Sequence, residues 1–157
     1  MKKFTFLLFA MLLVACGGNK PKESRVANKT IKGEWILESV TYNQTGKYDI
    51  TLLNDTSKEC FEGSKWKFVP NNNRGTYSIE NGDCSTGQRN FVFTVQEIDK
   101  SSGYYDFLLK PTNEKYQSET NQGIRMHLAY LSDDKMTWEQ TLRVDGKPFV
   151  ISMNFVK

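Results

Sequence analysis

His127 is the only histidine in the 157 residues, and it bounds the chemistry the chain can do. A zinc centre takes three or four ligands, mostly His and Cys. One histidine flanked at period two by Arg125 and Ala129, on the more polar face of its run, does not supply them. Asp133-Asp134 pair two carboxylates, as acid–base chemistry would want, but in a tight link between two β-rich runs they are ordinary turn residues. Gln140 and Tyr105 are the only polar side chains that hint at a converging interior site. There is no Gly-x-Ser-x-Gly, His-Glu-x-x-His or phosphate-cradling glycine loop. These residues point away from an enzyme and from any metal or cofactor.

The cysteines carry the remaining chemistry. Cys16 follows Lys2-Lys3, an apolar run from Phe4 to Val14, and the small residue Ala15. A basic start, a short apolar segment and a small residue at the cut site read as a secretory signal peptide. Leu13-Val14-Ala15-Cys16 resembles the lipobox of bacterial lipoproteins. That resemblance implies cleavage before Cys16, lipid on its sulfur and amine, and a chain tethered to a membrane. Gly17-Gly18-Asn19 carries no acidic sorting residue, so delivery to the outer membrane is expected, in a leaflet the residues do not specify. With Cys16 given to lipid, Cys60 and Cys84 remain, and an even remainder in an exported protein favours one disulfide. No Cys-x-x-Cys pair suggests redox or metal work.

Stepping from Cys16 along the chain gives three parts: a leader over 1–15, a lipidated cysteine and flexible tether over 16–30, and one domain over 31–157. The mature chain keeps 157 − 15 = 142 residues, enough for one core and too few for two. Losing Lys2 and Lys3 takes Lys plus Arg from 21 to 19 against 18 acidic residues, a net charge of about +1. No basic cluster argues for nucleic acid. The tether GGNKPKESRVANKT is too polar to offset its own ordering entropy.

From Ile31 the chain reads as strand. Eight runs combine β-branched and aromatic residues with period-two alternation, the half-buried antiparallel pattern: 34–42, 64–70, 75–80, 89–97, 104–110, 124–130, 136–143 and 149–156. In the sixth run Ile124, Met126, Leu128 and Tyr130 share the apolar face; in the seventh Met136, Trp138 and Leu142 do, with Gln140 as a polar interruption. Asp145-Gly146 is a strong hairpin signal, since both residues tolerate φ > 0 in a type I′ turn. Eight strands joined in order predict an all-β, antiparallel up-and-down barrel, because closure removes exposed edges. The long connection Asn43–Gly63 breaks the pattern. Its Tyr48, Ile50, Leu52 and Leu53 form an apolar patch expected to fold over the barrel mouth as a lid. A Cys60–Cys84 bond would be the one restraint on that lid, leaving its middle free to open.

Gly33-Glu34-Trp35 at the start of the first run resembles the Gly-x-Trp signature of lipocalins. Together with the lipobox, Trp66-Lys67-Phe68, Gly75-Thr76-Tyr77 and the two later cysteines, it is similar to lipocalin-like lipoproteins of Gram-negative bacteria. The resemblance implies an eight-stranded barrel whose Trp35 closes the bottom, with Arg143 the nearest candidate for the arginine that packs on that tryptophan. It also implies a small apolar ligand inside. The candidate lining is Trp66, Phe68, Tyr77, Phe91, Phe93, Phe107, Met126, Trp138 and Phe149. The competing expectation is that these side chains simply fill a small barrel. The protein would then be a structural lipoprotein contacting envelope partners.

Overall fold

The computed structural model describes residues 29–99 and 104–157. The expectations for the leader, for Cys16 and for the tether as far as residue 28 fall outside the described residues. Eight strands form a closed antiparallel barrel: β1 (Gly33–Tyr42), β4 (Lys65–Val69), β5 (Arg74–Ile79), β6 (Gly87–Asp99), β7 (Tyr104–Thr112), β8 (Ile124–Leu131), β9 (Lys135–Val144) and β10 (Lys147–Val156). Around the wall the order is β1-β10-β9-β8-β7-β6-β5-β4, with β4 returning to β1. Each run expected from period two is a strand of this wall. A short hairpin, β2 (Thr51–Leu52) and β3 (Thr56–Ser57), and a single turn of helix α1 (Lys58–Phe61) lie in the long connection.

Alternation puts the aromatic face inward. Trp35, Trp66, Phe68, Phe91, Phe93, Phe107, Trp138 and Phe155 are all buried, while Glu34, Lys65 and Lys67 face out. Burying each large apolar side chain contributes roughly 1.5–3 kcal/mol, so this face drives closure. Gly75 sits opposite Phe68 and Phe91 in the ladder. A Cβ there would collide with the Phe91 ring, so only glycine lets that ring lie flat against the wall. The expected hairpin turn is present, with Asp145 at φ 51° and Gly146 at φ 76°.

Bulges interrupt the ladders of β1, β6 and β8, and in β1 and β8 they change the phase of alternation. In β1 the register steps from Leu37↔Phe155 to Ser39↔Asn154, which turns Glu38 out and keeps Val40 inside. In β8 it steps from Leu128↔Trp138 to Tyr130↔Thr137. An extra residue at Ala129 therefore sends Tyr130 outward, where it is 54% exposed, against the expectation that it shares the inner face with Leu128. Leu142 also departs from expectation: the strand carries it beyond the core, and it is 42% exposed.

Trp35 closes one end of the barrel. It is buried, its indole Nε1 donates to the Ile31 carbonyl at 2.8 Å, and Lys157 Nζ lies 4.5 Å from its ring centroid. The same ammonium donates to the Thr30 carbonyl at 3.0 Å, and the Lys157 amide to Asp134 O at 3.0 Å. Lys157 thus takes the position expected for Arg143. Arg143 pairs with Pro148 beside the Asp145-Gly146 turn, at the opposite end of β9 and β10. Residues 29–31 are helical, so the last part of the expected tether already belongs to this closure.

Candidate functional site

The other end of the barrel is covered by the long connection. Ile50, Leu52 and Leu53 are buried there, and Tyr48 packs on Tyr42 and Phe149 with ring centroids 5.4 and 4.9 Å apart. Leu53 and Asn54 both adopt positive φ (51° and 56°), and Asp55 N donates to Leu52 O at 2.9 Å, giving a tight turn between β2 and β3. Left-handed backbone costs a leucine about 1–2 kcal/mol; burial of its side chain offsets that. Cys60 and Cys84 are joined, tying α1 to the loop after β5.

The bridge is not the only restraint, contrary to expectation. Phe61 is buried against Trp66 and Tyr77, with centroids 6.2 and 5.2 Å away. Glu62 Oε1 accepts the Val40 amide at 2.9 Å. Asp55 Oδ2 accepts both the Tyr77 hydroxyl at 2.8 Å and Arg89 Nε at 3.0 Å. The other guanidinium nitrogens of Arg89 donate to the carbonyls of Gly87 and Ser85 at 2.7 and 2.6 Å. Covering, clamp and bridge together make this lid a fixed part of the wall.

Burial, and next the charge of Asp55, hold the Tyr77 phenol well above its ordinary value of 10.0. A raised value in the folded state means this contribution to stability is complete below the unfolded value of about 10 and is lost as pH rises past it. Tyr77→Phe is therefore expected to flatten the alkaline arm of the stability curve. Urea midpoints followed from about pH 8 to 11 would show it. Equal alkaline loss in both proteins would place the titrating group elsewhere.

A pocket of about 310 Å³ lies at this end between the lid tip and β6–β8, lined by Leu53, Asp55, Tyr77, Arg89, Thr112 and Ile124 among others. The Thr112 hydroxyl is buried there without a hydrogen-bond partner.

Below the lid, seven of the nine expected lining residues form one continuous set of ring contacts: Trp66, Phe68, Tyr77, Phe91, Phe93, Phe107 and Trp138. Met126 is fully buried opposite Phe107. Phe149 stands apart, stacked on Tyr42 at 5.6 Å. Phe61 and Phe155 join the same set and were not expected. Phe155 was legible from its alternation, whereas Phe61 sits in a connection with no period.

The three tryptophans differ in one respect. Trp35 Nε1 has Ile31 O, and Trp66 Nε1 donates to Ser64 Oγ at 2.8 Å. Trp138 Nε1 is fully buried and has no partner. Its ring is enclosed by Phe107, Phe68 and Phe155 at 5.0, 5.2 and 5.5 Å, and Met153 lies across the ladder. An orphaned donor of this kind costs about 1–3 kcal/mol.

On the outer wall Asp106 is buried between Arg125 Nη1 at 2.8 Å and His127 Nδ1 at 3.3 Å. Among the described residues no three His, Cys, Asp or Glu side chains are grouped to hold a metal. Gln140 lies toward the lid on β9 and Tyr105 toward the closed end on β7, so the two polar hints do not meet.

A family model described as a lipocalin-like domain matches residues 31–138. The chain belongs to the lipocalin-like domain family. A solved structure of a lipocalin-like protein from Bacteroides uniformis shares 11% identity with this domain, with a TM-score of 0.46. The match covers 82% of this chain and 98% of that one. No curated protein matches the sequence.

Proposed function

We propose that this lipocalin-like domain is the ligand-binding part of a membrane-anchored envelope lipoprotein, and that it is not an enzyme. The ligand is a small, mainly apolar molecule carrying one hydrogen-bond acceptor. The observation that carries this reading is the Trp138 indole N–H, buried among aromatic rings with nothing to bond. A bound acceptor would remove that cost, and the rings would take the rest of the molecule by contact. Three buried methionines, Met126, Met136 and Met153, supply side chains that re-pack easily around a guest.

Native mass spectrometry of the full chain extracted from the envelope tests this reading. A mass above that of the lipidated polypeptide is expected. Trp138→Phe should weaken binding about fivefold, the worth of one hydrogen bond, and lower the occupied fraction with it. A bare polypeptide mass in both proteins would leave a filled core whose outer face contacts envelope partners, the competing expectation.

The anchor rests on the leader and on Leu13-Val14-Ala15-Cys16. Cys16→Ala should stall the precursor or release the domain from the membrane fraction. Normal maturation and membrane retention of that variant would refute the lipid attachment.

A further inference from the structure

The barrel wall is not hydrogen-bonded over its full height. β9 pairs with β10 from Lys135 to Val144, but its pairing with β8 ends at His127↔Glu139. Had the ladder continued, Met126 would face Gln140 and Ile124 would face Leu142. Neither pairing is made, and among the described residues no strand occupies that side of residues 140–144. The bulge at Ala129 bends β8 just below, which is where such a splay begins. Beyond the last paired residues, Leu142 and Val144 stand 42% and 40% exposed in the part of β9 that runs past the core. Gln140 is half-buried at the lower edge of the split, and its side-chain amide makes no hydrogen bond to another described residue. Two residues on, along the same strand and the same face, is Trp138.

We infer that the split between β8 and β9 is the port through which the ligand reaches the barrel, with Gln140 and Met126 as its two movable sides. This rests on the ligand-binding reading above. The lid is held by a disulfide, a carboxylate clamp and a buried phenylalanine, so passage at the lidded end would have to break all of them. The β8–β9 wall above His127 has no ladder pairing to break. Residues i and i+2 of a strand lie roughly 6.6 Å apart, so a ligand's acceptor passes from the Gln140 amide to the Trp138 N–H in one step inward. Met126, unbranched at its thioether, swings aside to admit the apolar body. The ligand class follows from this path: a slender apolar molecule with a neutral acceptor such as a carbonyl, which the Gln140 amide and then the Trp138 N–H can donate to.

Stopped-flow binding of prodan, a naphthalene bearing a ketone, to the full chain tests the port. Prodan fluorescence reports both burial and hydrogen bonding of its carbonyl. Gln140→Trp should slow association and dissociation alike, by about tenfold, because it raises the barrier and leaves the end states alone. Gln140→Ala should speed both. Thr112→Trp, which fills the pocket under the lid, should change neither rate. Binding of prodan with wild-type rates in both Gln140 variants would overturn the port, as would slowing by Thr112→Trp in their place. A change in dissociation alone would also overturn it, making Gln140 a contact of the bound ligand. Failure of prodan to bind any of these proteins would instead remove the ligand-binding reading, and the port with it.

Discussion

Trp66→Ala is expected to destabilise the domain by about 3–5 kcal/mol, the range for removing a fully buried tryptophan. Trp66 is the residue on which the core converges. Its ring lies within 4.7–6.2 Å of Phe61, Phe68, Tyr77, Phe91, Trp138 and Phe155, which come from the lid and from five wall strands. Truncation would leave a void with rigid walls, because closed strands collapse poorly. It would also strand the buried Ser64 hydroxyl, the acceptor of the Trp66 indole. Against a typical total of 5–15 kcal/mol that is a large share. Urea unfolding gives the number directly: a lower midpoint at unchanged slope is expected. A loss below about 1 kcal/mol would mean that the core repacks, a softness that would itself favour a guest inside.

Replacing Cys60 and Cys84 together by serine is expected to cost about 3.5 kcal/mol on the chain-entropy account of a loop this size. The separation is 24 residues. The distribution of the loss matters more than its size. Phe61, Asp55 and Glu62 would still hold the lid, so amide exchange should rise across the whole barrel rather than first in 43–63. This replaces the expectation, drawn from the loop's length and its one cysteine, that the bridge is a hinge pin. Exchange confined to 43–63 would restore the hinge.

Much of the fold was legible because a half-buried strand writes itself in period two. All eight wall strands were readable on that basis, the Asp145-Gly146 turn from its residue types, and the disulfide from the even pair of cysteines left in an exported chain. What was missed lies where the period is interrupted or absent. The bulge at Ala129 is invisible in a run of alternating residues, and it moved Tyr130 to the outside. The lid's fastenings come from single residues: Asp55 and Glu62, whose partners are 22 positions or more away, and Phe61, which packs on Trp66 and Tyr77 from a connection with no period. Lys157 could not be matched to Trp35 from the chain alone, since an ammonium stood where a guanidinium was sought. At the candidate site the aromatic residues were legible as a set. The unsatisfied N–H that distinguishes Trp138 from the other two tryptophans is a fact of packing, and composition does not record it.

The meeting of Thr30 and Lys157 at the closed end has a mechanical consequence. β1 starts there and β10 finishes there, and the two are antiparallel neighbours. A pulling force applied through the two ends of the domain would load the rungs of that pair in turn, starting at Ile36↔Val156, and the barrel would unzip under a small load. Gripped instead at residue 29 and at the Asp145-Gly146 turn, which lie at opposite ends, the same rungs would share the load in shear and resist together.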